Sequence, residues 1–312
     1  MTTLVLGHLV LDEIHSYDGN VYHSPGGITF PLRTFAALQG EGDRLRPVFP
    51  YGSDAIEALN RMRSEDALDF SACWEVEQPT TRVRLFHESP SQYNTQLVSS
   101  LGPIPRQRFA GELERADLVY LNMMTGQDIL LDDAAALRGE GRLVYIDLHM
   151  IAYRVHRDGR REPTASPQWK DWVSAADVAQ CNEREFDALT GCGVQARGGG
   201  EREMSALRRA CIEDIFEEHE LTAFVLTRGE AGADIFPADG GRLHVPAVPP
   251  ARIVDPTGCG DAFGSTLARG IVTGEDMTAA AARAARAASF VVSIPGSDGI
   301  KSLRAHIREA SA

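Results

Sequence analysis

A glycine-rich segment in the last quarter of the chain carries the residues best suited to chemistry. It runs from Asp255 to Gly264 with the sequence DPTGCGDAFG. Arg252–Val254 before it can end a strand, and the apolar residues after it recur at helical spacing. Because glycines at a helix start leave the first N–H groups accessible, we predict an anion-binding loop. Asp261 would repel an anion there unless it accepts or orients a hydroxyl proton, as phosphoryl transfer requires.

This segment resembles the C-terminal motif of the ribokinase-like (pfkB) family of sugar and nucleoside kinases, usually written D-T-x-G-A-G-D. The resemblance implies that Asp261 is the catalytic base and that the backbone of Gly258, Cys259 and Gly260 forms an anion hole. Cys259 replaces the usual alanine and leaves that backbone role intact. The glycine pattern alone would also fit an ordinary strand–helix turn, but its late position and its two aspartates favour the kinase motif.

Candidate substrate-binding residues lie near the N-terminus. Gly7 and Asp12 match a family Gly-x-x-x-x-Asp segment, which implies that Asp12 binds substrate hydroxyls. By residue type alone, Asp12 would equally fit an exposed turn. Gly26 and Gly27 match a family Gly-Gly pair at which a sugar approaches the backbone. A Phe-Pro pair begins at Phe30, where many sugar kinases of the family carry Asn, so a plain ribokinase or fructokinase is not indicated.

Two further motifs indicate a nucleotide and its metal ion. Asn182 and Glu185 share a face at a predicted helix start and resemble the family's Asn-x-x-Glu motif, which implies a role in positioning Mg²⁺ near the phosphates of ATP. The same residues also fit a helix N-cap, and both roles can hold. Thr227, Gly229 and Gly232 resemble a family turn that borders ATP, although such a turn alone indicates only a hairpin.

The resemblance also allows a monovalent cation, K⁺, which some family members bind. Asp255 and Thr257 would serve as its side-chain ligands, with carbonyl groups from the segment Ser293–Ser297. Four arginines at positions 154, 157, 160 and 161 lie in a loop-like segment, Met150–Pro167. They could meet phosphates, but a solvated loop is the favoured interpretation.

The alternation of short apolar strands with helices predicts an α/β fold, with a mainly parallel sheet covered on both faces. Ser53–Arg63 is a predicted helix with Ser53 as its N-cap. The runs Thr81–Phe86 and Tyr93–Val98 predict an antiparallel hairpin. The resemblance implies one three-layer α/β/α domain over residues 1–312. It also implies a small β-sheet lid from segments of about 9–24 and 80–100, which often forms a homodimer contact.

The overall composition excludes several classes of partner. A formal net charge of −13 argues against nucleic acid and anionic membranes, which attract basic surfaces. The five cysteines match no zinc framework, and no apolar run approaches the ~18–20 residues that span a bilayer. Together with the absence of a signal-peptide pattern, these features predict a cytoplasmic protein.

The predicted function is ATP-dependent phosphorylation of a hydroxyl group on a small polyol, most simply the primary alcohol of a sugar. A nucleoside, inositol or vitamin kinase on the same scaffold is the first alternative. A non-catalytic sugar- or nucleotide-sensing protein is the second. The intact Asp261 and its glycines argue against the second alternative, because a pure binder does not need that carboxylate.

Overall fold

The structure is a computed structural model that describes residues 1–16, 18–66, 68–89, 92–192 and 201–309. Its strands are β1 (Thr2–Leu6), β2 (Leu9–His15), β3 (Val21–Gly27), β4 (Arg44–Val48), β5 (Pro50–Gly52), β6 (Trp74–Val76), β7 (Thr81–Ser89), β8 (Gln92–Ser99), β9 (Leu118–Asn122), β10 (Leu143–Asp147), β11 (Tyr153–Val155), β12 (Arg161–Pro163), β13 (Val178–Asn182), β14 (Ala223–Thr227), β15 (Ala233–Pro237) and β16 (Leu243–Val245). Its α-helices are α1 (Thr29–Leu38), α2 (Ile56–Asp66), α3 (Ala110–Leu113), α4 (Leu131–Ala134), α5 (Trp169–Ser174), α6 (Glu183–Thr190), α7 (Glu201–Glu218), α8 (Cys259–Val272), α9 (Met277–Val292) and α10 (Leu303–Glu309).

The central sheet has eight strands in the order β16-β15-β14-β13-β10-β9-β1-β4. The pairs from β14 to β4 are parallel, and only β15 and β16 join antiparallel at one edge. Val119 and Tyr120 are neighbours on β9 but belong to different core clusters, because successive side chains of a strand point to opposite faces. Both faces are therefore covered, and the predicted three-layer α/β fold with a mainly parallel sheet is confirmed.

A second sheet of four strands, in the order β3-β2-β7-β8, is called the small sheet below. The predicted hairpin is its β7–β8 pair, which is antiparallel. On one face, Val10, Ile14, Val83 and Leu85 form a buried cluster. We call the face that carries this cluster the inner face. It gives the small sheet a packed side, which a sheet needs for stability. The small sheet comes from the two segments predicted for a lid.

Two local predictions around helix starts were wrong. Arg252–Val254 is not a strand; these residues are exposed, and the Val254 N–H donates to the carbonyl of Val292 at 2.9 Å. Ser53 is not the N-cap of an α-helix, because it begins a 3₁₀ turn whose N-cap is Gly52, and α2 starts only at Ile56. In both places the backbone adopts another geometry than the predicted one, a loop at Arg252–Val254 and a 3₁₀ turn at Ser53.

The segment Met150–Pro167 is more ordered than the predicted loop. It contains the antiparallel hairpin of β11 and β12. The turn of this hairpin reaches the small sheet, where the Leu97 N–H donates to the carbonyl of Gly159 at 2.8 Å. Gly159 has φ +80°, and an added Cβ would stand 2.0 Å from the carbonyl oxygen of Leu97. Only glycine allows this close approach, so the hairpin is joined to the small sheet by backbone contact.

Among the described residues, no helix has the length and apolar character to cross a membrane.

Candidate active site

Polar residues end four neighbouring strands of the central sheet. Asn122 ends β9, Asp147 ends β10, Asn182 ends β13 and Thr227 ends β14. Asp147 is in register with Asn122, and Asn182 is in register with Thr227. Because the carboxyl ends of parallel strands lie at one edge of a sheet, these side chains form a row there. That edge is the usual ligand site of open α/β sheets.

The N-terminus of helix α8 lies against this row. Gly258 is its N-cap with φ +79°, and a Cβ on Gly258 would stand 2.0 Å from the ring of Phe30. Asn122 donates from Nδ2 to Oδ1 of Asp261 at 2.7 Å. Gln180 donates from Nε2 to the carbonyl of Gly260 at 3.2 Å. The predicted loop thus has the helix-start geometry that suits an anion, with its carboxylate held from the neighbouring strand.

The electrostatic environment of Asp261 suits a proton acceptor. Burial raises its pKa to about 6, while the charge of His149 and the hydrogen bond from Asn122 act in the opposite direction. At neutral pH the side chain is therefore mostly ionised. Carboxyl groups whose pKa is raised toward neutrality are typical of active sites.

Asp147 is a second carboxyl group at the same edge. Burial first, and then the charges of Asp261 and Glu185, raise its pKa to about 8. Gln180 donates from Nε2 to Oδ2 of Asp147 at 3.2 Å and accepts from the hydroxyl of Tyr145 at 2.7 Å. Gln180 therefore links the sheet to the glycine loop. No sequence motif indicated this role, because Gln180 lies 80 positions from Gly260.

Asn182 and Glu185 form a complete capping box at the start of α6. The Glu185 N–H donates to Oδ1 of Asn182 at 3.0 Å, and the Asn182 N–H donates to Oε2 of Glu185 at 2.8 Å. The N-cap interpretation is confirmed. The other oxygen, Oε1, lies 2.7 Å from Nδ1 of His149. With both oxygens engaged, this pair fits Mg²⁺ held through its water shell better than by direct ligation.

His149 was not predicted from the sequence. Burial opposes its charge, but the charge and hydrogen bond of Glu185 and the charge of Asp147 outweigh burial and raise its pKa to about 9. It stands among three carboxyl groups. Within the described ranges, no cluster of three or more Asp, Glu, His or Cys side chains is arranged to hold a metal ion directly.

The predicted monovalent-cation residues lie together beside the glycine loop. Asp255 is buried and accepts hydrogen bonds from the N–H groups of Thr257 at 2.9 Å and Gly296 at 3.4 Å. It thereby joins the loop to the C-terminal segment named in the sequence analysis. The hydroxyl oxygen of Thr257 is buried without a hydrogen-bond partner among the described residues. An orphaned buried oxygen fits a cation ligand.

The predicted nucleotide turn follows β14. An added Cβ on Gly229 would meet no atom within 4 Å, whereas one on Gly232 would stand 2.0 Å from the carbonyl oxygen of Val245. Gly232 is therefore required by packing, and Gly229 leaves open space for a ligand. Arg228, which directly precedes Gly229, pairs with Glu183. The role of Thr227, Gly229 and Gly232 toward a nucleotide remains a prediction.

Asp12 lies on the inner face of the small sheet. It is only 7% exposed, so the exposed-turn interpretation was wrong. A Cβ on Gly26 would stand 1.8 Å from Oδ2 of Asp12, and Gly27 has φ +59° with the carbonyl of His8 2.5 Å from an added Cβ. The two glycines thus make room for a carboxylate and for a turn. Whether a sugar also approaches them remains a prediction.

The four arginines of the predicted solvated loop divide into two groups. Those at positions 154, 157 and 160 are exposed, as expected. Arg161 differs, because its guanidinium donates from Nη1 to Oγ1 of Thr95 at 3.4 Å and from Nη2 to the carbonyl of Met124 at 3.2 Å. The solvated-loop interpretation was wrong for Arg161. No local signal distinguished it from its neighbours.

Comparison with known proteins defines the class. Residues 12–302 match the pfkB family of carbohydrate kinases, and the chain belongs to this family. A cytidine kinase of Thermococcus kodakarensis is 26% identical over 298 residues, which cover 88% of this chain and 90% of that protein. The bifunctional protein HldE of Rhodopseudomonas palustris strain HaA2 is 24% identical over 95% of this chain, which spans 60% of that longer protein.

Solved structures of the ribokinase family share the fold. A pyrophosphate-dependent myo-inositol kinase superposes with a TM-score of 0.78 at 17% identity, with 99% of each chain covered. A nucleoside kinase of Burkholderia thailandensis in complex with inosine superposes with a TM-score of 0.71 at 20% identity, with 99% of this chain and 96% of that chain covered. The protein is thus a kinase of the pfkB family, with a ribokinase-like fold.

Proposed function

We propose that this protein transfers the γ-phosphoryl group of ATP to a hydroxyl group of a small polyol, most simply the primary alcohol of a sugar. The observation that carries the proposal is the position of Asp261. Its carboxylate accepts a hydrogen bond from Asn122 at 2.7 Å and stands in the first turn of α8, beside the glycine loop. A proton acceptor and an anion site therefore lie next to each other.

In the proposed reaction, Asp261 orients the attacking hydroxyl and takes its proton. Because the transition state of phosphoryl transfer is loose, deprotonation comes late and orientation matters as much as basicity. The N–H groups of Gly258, Cys259 and Gly260 stabilise charge on the transferring group. Thr227 and Gly229 border the nucleotide.

Two cations belong to the proposal. Mg²⁺, when bound near Asn182 and Glu185, neutralises charge on the donor phosphates. The capping box and His149 hold the Glu185 carboxylate in one orientation for that role. Asp255 and Thr257 are the proposed side chains of a K⁺ site, which would steady the glycine loop.

The small sheet is the proposed lid over the acceptor. Its inner face carries Asp12, and closure over the site would keep water from the phosphoryl group. Its other face exposes Val21 and Val98, which are 54% and 45% accessible. We place the proposed homodimer contact on this exposed face. The whole chain, residues 1–312, forms a single kinase domain in this proposal.

A nucleoside or inositol acceptor is the second candidate. One relative that matches most of the chain is a cytidine kinase, and two of the superposed structures act on or bind myo-inositol and inosine. Phe30 also favours this candidate, because its apolar ring replaces an amide that would bind sugar hydroxyls. Such acceptors also present a primary or ring hydroxyl to Asp261.

Formation of ADP from Mg-ATP is the decisive measurement. D-ribose, D-fructose, myo-inositol, cytidine and inosine form the first acceptor panel, each with and without K⁺. Pyrophosphate replaces ATP in a parallel series, because some structural neighbours use that donor. An acceptor that stimulates turnover assigns the substrate class. Binding of ATP and acceptors without turnover would support the sensing alternative instead.

A further inference from the structure

Arg161 lies between the small sheet and the edge of the central sheet, in a segment outside the predicted substrate-binding residues. The space between these two sheets is called the cleft below. Arg161 begins β12, and its Nη1 donates to the hydroxyl of Thr95 at 3.4 Å. Thr95 is in register with Leu85, whose side chain belongs to the buried cluster on the inner face. Residues directly opposite each other in paired strands share a face. The guanidinium of Arg161 therefore lies under the inner face of the small sheet.

The second anchor of Arg161 is at the edge of the central sheet. Its Nη2 donates to the carbonyl of Met124 at 3.2 Å. Met124 lies two residues after Asn122, which holds the carboxylate of Asp261. Its side chain also packs against the inner-face cluster. Arg161 thus stands between the small sheet and the end of β9, where Asn122 holds the proposed catalytic Asp261.

Asp12 faces the same space. It is in register with Val83, a member of the inner-face cluster, so its carboxyl group points to the side on which Arg161 lies. Burial raises the pKa of Asp12 to about 8, and the positive charge of Arg161 is the principal effect that opposes this rise. A carboxyl group and a guanidinium therefore share one wall of the cleft.

We propose that Arg161 is a substrate-contacting specificity residue, which with Asp12 binds neighbouring hydroxyl groups of an uncharged polyol. This inference rests on the proposed function. A hydroxyl group both donates and accepts, so it can donate to Asp12 while it accepts from the guanidinium. Arginine suits this role because its planar guanidinium carries several N–H donors in a fixed geometry, which can serve protein and ligand groups together.

The charge around Arg161 favours an uncharged ligand. Burial raises the pKa of Asp12 although the charge of Arg161 opposes that rise, and the charge of Asp255 raises it further, so this space disfavours negative charge. A phosphate or carboxylate group bound beside Arg161 would meet the same unfavourable environment. Hydroxyl groups carry no such penalty, and the proposed class is therefore sugars, nucleosides and inositols without an acidic group at this end.

The test compares Arg161→Gln and Arg161→Lys with Arg157→Gln. Arg157 lies in the same hairpin, is exposed and loses the same charge when it becomes Gln. Steady-state rates are measured with Mg-ATP and whichever of D-ribose, myo-inositol or cytidine serves the unmodified protein best. In Arg161→Gln we expect the KM for the acceptor to rise about 10- to 100-fold, because a charge-assisted hydrogen bond is lost. The kcat and the KM for Mg-ATP should change less than about threefold. The KM of Arg161→Lys for the acceptor should lie between those of the unmodified protein and Arg161→Gln.

A mono-deoxy analogue of the same acceptor tests the contact itself. The unmodified protein should discriminate against the analogue that lacks the bound hydroxyl, and Arg161→Gln should lose most of this discrimination. Thermal melting identifies variants that do not fold. If Arg161→Gln does not fold, Arg161→Lys is compared with Arg157→Gln instead. An unchanged acceptor KM, or an equal rise in the KM for Mg-ATP, would overturn the inference. If the unmodified protein phosphorylates no acceptor at all, the proposed function fails instead.

Discussion

At the scale of single residues, two carboxyl groups at one sheet edge differ in their hydrogen-bond partners. Asp261 accepts from Asn122 and its pKa lies at about 6, whereas the pKa of Asp147 lies at about 8. Both are buried. The hydrogen bond and the charge of His149 favour the ionised form of Asp261, while negative neighbours disfavour that of Asp147. These different environments favour Asp261 over Asp147 as the proposed proton acceptor.

Replacement of Asp261 by Asn should lower kcat by roughly 10²- to 10⁴-fold, the usual contribution of a general base. The amide keeps the shape of the side chain, so acceptor binding, measured by calorimetry, should persist. Asp276→Asn is the matched control, because Asp276 is an exposed N-cap and Asn caps helices equally well. A variant Asp261→Asn with undiminished kcat would contradict the proposed mechanism.

The pH dependence should follow the ionisation of Asp261. Because only the ionised carboxylate accepts a proton, kcat/KM should fall about tenfold per unit below pH 6, as expected for one titrating group with a pKa of about 6. Asn122→Leu removes a hydrogen bond that favours the ionised form, so the acid limb should move to higher pH. The measurement is a profile of kcat/KM against pH, from about pH 5 to 8, for the unmodified protein and for Asn122→Leu. Coincident acid limbs would argue against Asp261 as the titrating group.

At the scale of elements, the cleft depends on how a short hairpin is attached. The β11–β12 hairpin carries Arg161, and backbone contact at Gly159 joins it to the small sheet. Three-residue strands bury too little to fix such an orientation alone. The position of the Arg161 side chain is therefore set by the small sheet and by the edge of the central sheet together.

Gly159→Ala tests this attachment. The new methyl group would stand 2.0 Å from the carbonyl oxygen of Leu97, so the hairpin must move away and the acceptor KM should rise several-fold. Gly141→Ala is the matched control, since Gly141 has φ +74° but no atom within 4 Å of an added Cβ. Both substitutions place alanine at positive φ, at a cost of about 1–3 kcal/mol each. Equal acceptor KM values in the two variants would show that attachment of the hairpin is not needed.

At the scale of the whole molecule, the charge balance constrains how a nucleotide binds. The formal net charge is −13, and the edge of the central sheet carries Glu185 and Asp261, with His149, whose pKa is raised to about 9, as a positive neighbour. The overall negative charge of the protein repels a free nucleotide polyanion. Helix dipoles and backbone N–H groups offset part of this repulsion. A magnesium ion between the carboxylates and the phosphates would offset much of the rest.

ATP should therefore stabilise the protein only together with Mg²⁺. At 100 times its dissociation constant, a ligand adds about 2.7 kcal/mol to the free energy of unfolding, which shifts Tm measurably. We expect such a shift with Mg-ATP and little or none with ATP plus a chelator, in thermal melts at equal ionic strength. MgCl₂ without ATP controls for binding of the metal alone. An equal shift with chelated ATP would exclude the proposed metal-dependent binding.

The sequence by itself determined the features that short spacings encode. The Asn182–Glu185 capping box depends on two residues in one helical turn, and the start of α8 depends on glycines beside an apolar stripe. The strand pattern likewise predicted the mainly parallel sheet and the β7–β8 hairpin. These features are local, because hydrogen-bond periodicity and burial of one face act within a few residues.

Only the tertiary structure decided which distant residues meet. Asn122 and Asp261 are 139 positions apart, and His149 and Glu185 are 36 apart. Arg161 is of the same residue type as three exposed arginines within seven positions of it, yet it alone of the four donates hydrogen bonds to Thr95 and Met124. Such contacts depend on the order of strands in the sheet and on the attachment of a hairpin. No local spacing encodes that order, because it results from the packing of the whole core.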